Sequence, residues 1–177
     1  MIILAIDCGA NLCAACVYDS ARDLELGRCV IDLGKGHAER LIEVVDTALA
    51  QAGIELNGVG AIAVGIGPGS FTGIRVAVSA ARGFALALGI PAVGIGTLEA
   101  IGAEVRGRQP GKPVLVALMS MTDTVQMAVY DALGRVVYSP RVVTLQEAAV
   151  MAEETGAILA GTAGPAIAAT SSGQAIP

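Results

Sequence analysis

The sequence predicts an α/β protein built from two copies of one pattern, and three observations lead to it. Short runs of Ala, Val, Ile and Leu recur along the chain, punctuated by Gly, in a sequence that is 54% hydrophobic and has no Trp. That is the composition of packed strands and closely approaching helices. The order strand, strand, strand, helix, strand, helix begins at residue 2, and its first members begin again at residue 114. Between the two copies lies Gly107-Arg108-Gln109-Pro110-Gly111-Lys112-Pro113, which interrupts any regular element.

In the first copy, Ile2 to Ile6 reads as a buried strand ending at Asp7. A tight turn, Cys8-Gly9-Ala10-Asn11, leads to a second strand, Leu12 to Tyr18, and a third runs from about Leu24 to Leu33. From His37 to Ala52 the apolar positions Leu41, Val45, Ala48, Leu49 and Ala52 fall on one helical face, with Gly53 as the stop. Val59 to Gly65 is a fourth strand. A glycine-rich turn then launches a helix from about Thr72 to Leu88, ended by Gly89 and Pro91. Pro91 to Ile95 is a fifth strand, and Thr97 caps a helix running to about Arg106. The expected boundaries are a first domain over 1–106, a linker over 107–113 and a second domain over 114–177.

The second copy reads as strands Val114 to Leu118, Val125 to Asp131 and Arg135 to Val143, with a turn at Ala132-Leu133-Gly134. Thr144-Leu145-Gln146-Glu147 is a capping box opening a helix to Glu154, and Ala157 to Gly161 is a further strand. This copy is expected to lack its closing helix. Ala168 to Pro177, small, polar and turn-rich, reads as a flexible end, either of a truncated chain or of an unusually short one. The doubled order describes the actin, Hsp70 and sugar-kinase (ASKHA) class, with a degenerate and C-terminally short second repeat.

Several function classes are disfavoured. The apolar start meets Asp7 too soon for a signal peptide, and no run reaches about 18 uninterrupted apolar residues, so no membrane span is expected. The four cysteines cluster near the start, unlike a disulfide framework, so the cytoplasm is the expected location. Cys13-x-x-Cys16 lies on a strand, where positions three apart face opposite ways, and no metal is expected. A formal net charge of −5 lacks the basic footprint of a nucleic-acid binder, so contact with RNA is expected only through a partner.

In the ASKHA class the turn after the first strand of each copy holds ATP phosphates. Asp7-Cys8-Gly9 supplies an acid and a glycine, but Ala10 stands where a hydroxyl is wanted. The second copy offers Met119-Ser120-Met121, with neither acid nor glycine. Asp7 and Gly9 thus read as a vestigial phosphate loop, no cofactor is expected, and a small-molecule kinase or ATPase is the alternative reading. His37, the only histidine, sits at a helix start, where a charged imidazolium would oppose the dipole; a neutral structural role is expected. The turn Gly67-Pro68-Gly69-Ser70-Phe71-Thr72-Gly73 lacks the Gly-Lys-Ser/Thr of a P-loop, and Pro68 breaks the nucleophile-elbow pattern around Ser70. Its expected role is architectural, and no catalytic residue is assigned.

In the helix beyond it, from Gly73 to Leu88, only Arg75, Ser79 and Arg82 are polar. A helix so apolar is either sandwiched between the sheet and the other domain or forms a subunit interface. Such a face often pairs with itself in a symmetric dimer when its partner is absent.

The segment Gly67-Pro68-Gly69-Ser70-Phe71-Thr72-Gly73-Ile74-Arg75, continued by Ala81-Arg82-Gly83-Phe84-Ala85, Gly89-Ile90-Pro91 and Thr97-Leu98-Glu99-Ala100, resembles the signature of the TsaB (YeaZ) family. This is the accessory-subunit family of bacterial tRNA threonylcarbamoyladenosine synthesis. His37-x-Glu39-x-Leu41 is similar to the start of that family's first helix. The resemblance implies a subunit that performs no transfer itself, pairs with the catalytic paralogue TsaD through two helices, and works with the ATPase TsaE. The implied face comprises Leu41 and Val45 with Ile74, Arg75, Ala77, Val78, Ala80, Ala81, Arg82, Phe84 and Ala85. TsaD carries a His-x-x-x-His motif that one histidine cannot supply. The family usually has Asp-Ala-Arg where Met119-Ser120-Met121 stands, and it extends further at the C-terminus.

Overall fold

The computed structural model describes residues 1–34, 36–121 and 123–171, and the chain divides into two compact units, Met1–Thr97 and Leu98–Pro177. The first unit contains β1 (Ile2–Asp7), β2 (Leu12–Asp19), β3 (Leu24–Asp32), α1 (His37–Ala52), a short 3-10 turn (Leu56–Gly58), β4 (Ala61–Gly65), α2 (Phe71–Leu88) and β5 (Ala92–Ile95). The sheet order is β3-β2-β1-β4-β5. The first three strands form an antiparallel meander, and β4 and β5 add in parallel, each reached through a helix.

Alternation along the strands selects one face for the core. Leu4 and Ile6 pair in register with Ile62 and Val64 on one side, and with Val17 and Ala15 on the other; all six are buried. α1 packs over β2 and β3, and α2 over β1 and β4. They contribute Leu41, Val44, Val45, Ala48 and Leu49 from α1 and Ala77 and Ala81 from α2. The 3.6-residue period of α1 is thus the period of its buried stripe.

The second unit contains α3 (Thr97–Arg108, from its second residue onward), β6 (Val114–Met121), β7 (Thr124–Tyr130), β8 (Val136–Thr144), α4 (Leu145–Thr155), β9 (Ile158–Ala160) and α5 (Gly164–Ser171). The sheet order β8-β7-β6-β9 repeats the first four strands of the other sheet. Leu115, Ala117, Met127 and Val129 face α4 and α5, while Val114, Val116, Ala128 and Tyr130 face Leu98 of α3.

Two readings of the sequence change here. α3, expected in the first domain, packs with the second unit, because Leu98 (2% exposed) inserts among Val114, Val116, Ala128 and Tyr130. The Gly/Pro run after α3 ends a helix without separating two cores. The closing helix expected to be missing is present as α5. Pro165 is tolerated in its first turn, the Ala residues favour helix, and Ile167 is buried in the cluster that contains Leu145 and Ala148. The last six residues of the expected flexible end lie outside the described residues.

The capping box at α4 forms as read. Thr144 Oγ1 accepts from the Glu147 amide at 3.2 Å, and the Glu147 carboxylate accepts from the Thr144 amide at 2.8 Å. Thr144→Ala should cost about 1 kcal/mol of stability at neutral pH, read from the urea midpoint. The backbone amide and hydroxyl of Thr144 hold the Glu147 carboxyl below its ordinary value of 4.5. A lowered folded-state value gives stability that is present above the ordinary value and lost as the pH falls through the lowered one. The gap between wild type and Thr144→Ala should therefore narrow on acidification through that window.

Candidate functional site

The glycine-rich turn is built by backbone pressing on backbone. Gly73 lies so close to the Cys8 carbonyl, and Gly69 to the Gly9 carbonyl, that a Cβ at either position would overlap an oxygen. The Ser70 amide donates to Gly9 O at 2.6 Å, and the Thr97 amide donates to Gly67 O at 2.8 Å. Ser70 also caps α2, its Oγ accepting from the Gly73 amide at 3.3 Å. The Gly67–Pro68 peptide is cis. The turn therefore seats the start of α2 against the end of β1 and fixes the helix direction.

The same contacts reach the β1–β2 turn, which the sequence reads as a vestigial phosphate loop. The Gly9 amide donates to Asp7 Oδ1 at 2.8 Å, so a backbone donor that could serve a phosphate is bonded within its own turn. Gly9 O is taken by Ser70, and Ala10 O by His37 Nε2 at 3.1 Å. This last bond requires the proton on Nε2 and ties the first residue of α1 to the β1–β2 turn. In the second unit the corresponding Met119-Ser120-Met121 belongs to β6. Cys13 and Cys16 point to opposite faces, the first buried and the second half-buried. Among the described residues no cluster of three or more His, Cys, Asp or Glu is placed to hold a metal.

The helix face differs from expectation in detail. Leu41, Val45, Ala77 and Ala81, expected to meet a partner, are at most 2% exposed and belong to the core. Their period marks burial against the sheet, which pattern alone does not separate from burial against another chain. Ile74, Val78, Ala80, Phe84 and Ala85 are half-buried, and Arg75 and Arg82 are exposed. Only Gly73, Ala77 and Ala81 of α2 are fully buried, so the helix is not enclosed on all sides.

A groove of ≈ 500 Å³ runs between α1 and α2, lined among others by Leu41, Ile42, Phe71, Arg75, Ser79 and Ala80. Ile42 (52% exposed), Phe71 (67%) and Leu86 (86%) are large apolar side chains in water on these two helices. The Arg75 guanidinium lies over the Phe71 ring, 3.8 Å from its centroid, adding cation–π attraction to an exposed aromatic. Sequence reasoning missed Ile42 and Leu86 as surface residues. The available signal was that Ile42 interrupts the charged outer row of Glu39, Arg40, Glu43 and Asp46. α2 is long and apolar enough to cross a membrane by length and composition, yet it carries two outward arginines and packs its small residues on the sheet.

Comparison with known proteins finds related chains and a shared fold. A family model described as TsaD: tRNA N6-adenosine threonylcarbamoyltransferase matches residues 32–169. The tRNA threonylcarbamoyladenosine biosynthesis protein TsaB of Escherichia coli is 30% identical over 132 residues, 74% of this chain and 55% of that protein. The solved structure of YeaZ from Pseudomonas aeruginosa superposes with a TM-score of 0.70 at 30% identity, covering 82% of this chain and 68% of that one. A ROK hexokinase from Thermus thermophilus shares the fold, with a TM-score of 0.50 at 24% identity over 77% of this chain and 48% of that one. The chain spans about half the length of the curated relatives it matches.

Proposed function

Because the chain belongs to the TsaB/YeaZ family of tRNA threonylcarbamoyladenosine biosynthesis, we propose that it is a cytoplasmic, non-catalytic subunit that binds TsaD through the α1–α2 face. The observation that carries this reading is the groove between the two helices, where Ile42 and Phe71 remain in water beside Arg75. Exposed apolar side chains gathered along one helix pair favour a protein partner over solvent. The turn that would hold ATP in a kinase of this fold has its Gly9 amide, a donor a phosphate could use, bonded to Asp7 within the protein. ATP hydrolysis falls to TsaE, and a chain of charge −5 meets tRNA only through the complex.

The test is the solution mass of the chain alone and mixed with TsaD, by size exclusion with light scattering. A heteromeric species is expected with TsaD, and self-association without it. TsaD and this chain eluting separately at micromolar concentrations would overturn the proposal. Calorimetric heat from Mg-ATP on the isolated chain would favour the kinase or ATPase alternative.

A further inference from the structure

Cys8 and Cys13 take no part in the partner-binding reading. They are buried, at 1% and 0% exposure, and their thiols share a hydrogen bond with the sulfurs 3.7 Å apart. The β1–β2 ladder ends with Asp7 opposite Ala14, which makes Cys8 and Cys13 the next opposed pair. Opposed residues of an antiparallel pair stand about 4.5–5.5 Å apart at Cα, within the range a disulfide spans. The other two cysteines have no such partner, since Cys16 is opposite Arg28 and Cys29 opposite Ala15.

We propose that Cys8 and Cys13 are a redox dithiol that closes to an intrachain disulfide, and that the closure is transmitted to the first turn of α2. The oxidant is a low-molecular-weight disulfide. One cysteine sulfur, after losing its proton, attacks the oxidant, breaking its S–S bond and releasing one small thiol. The second cysteine sulfur attacks the resulting mixed disulfide, forming the Cys8–Cys13 bond and releasing the second small thiol. Two electrons pass to the oxidant, and the two cysteine protons are balanced by those on the released thiols. The sulfurs must close from 3.7 Å to about 2.05 Å. Movement at Cys8 reaches α2 because the Cys8 carbonyl abuts Gly73 and the Gly9 carbonyl abuts Gly69, with no side chain between to absorb it.

Burial sets the pace. Desolvation first, then the neighbouring Cys13 and Asp7, pushes the Cys8 thiol up to about 12, and burial also raises Cys13. Exchange therefore proceeds through transient opening of the turn rather than on the closed surface.

The experiment incubates the folded chain with oxidised glutathione, then unfolds and alkylates it for intact mass and peptide mapping. The expected product is a species lighter by two hydrogens, with Cys8 and Cys13 shielded from alkylation and restored by dithiothreitol. Cys16→Ala/Cys29→Ala should still give it and Cys13→Ala should not. Hydrogen exchange over residues 71–76 should differ between the reduced and oxidised forms. A disulfide that includes Cys16 or Cys29, glutathione retained on Cys8 or Cys13, or both thiols alkylated after long exposure would overturn the dithiol. Identical exchange over residues 71–76 would overturn the transmission. Neither readout involves TsaD, so the outcome stands apart from the partner reading.

Discussion

Gly73→Ala should destabilise the first unit by about 3 kcal/mol or more. The added methyl would overlap the carbonyl oxygen of Cys8, a backbone atom at the end of β1 that cannot swing aside as a side-chain tip would. Relief requires α2 to shift away from β1, which uncovers Ala77 and Ala81 and the strand residues beneath them. In a unit of this size the loss should appear as a fall in the melting temperature of about 10 °C or more by circular dichroism. Gly83→Ala is the counterpart. Gly83 lies on the same helix with open space where its Cβ would be, so the change should stabilise by up to about 1 kcal/mol through helix propensity alone. If the two variants melted together with wild type, the turn would be a yielding connection and not the fixed seat of α2.

This contrast separates what the sequence makes legible from what it does not. The strand and helix order was readable because it depends on local periods: Leu4 and Ile6 alternate, and Leu41, Val45, Ala48 and Leu49 recur at helical spacing. The glycine turn was readable as architecture because no lysine, base or second phosphate loop accompanies it. The turn's actual partners were not readable. Gly69 and Gly73 meet Gly9 and Cys8, some sixty residues away in sequence, through backbone atoms that carry no residue-specific signal. The place of α3 was hidden for a similar reason, since Leu98 could have packed on either sheet and the Gly/Pro run that follows it resembles a domain linker. α5 was hidden because Pro165-Ala166-Ile167-Ala168-Ala169 has one large apolar residue and no amphipathic stripe; tertiary packing of Ile167 supplies what the pattern lacks.

If the chain docks on TsaD as proposed, Phe71→Ala should weaken that association by about 30-fold or more while leaving the chain's own melting temperature near that of wild type. Phe71 is two-thirds exposed, so its removal takes little from the core, yet in a complex it is the large aromatic most able to fill a pocket, with Arg75 stacked on it. Ser79→Glu, on the exposed edge of the same groove, should weaken binding by placing a carboxylate in a surface that association would desolvate. Ala81→Glu is unsuitable for this purpose: Ala81 is fully buried, and a charge there would unfold the unit before any partner was tested. Leu133→Ala supplies the control, because Leu133 is 78% exposed but lies in the second unit, far in the chain from either helix. Titrations followed by biolayer interferometry would rank the variants. Loss of binding in Leu133→Ala with full binding in Phe71→Ala and Ser79→Glu would move the docking surface off the α1–α2 face and onto the second unit.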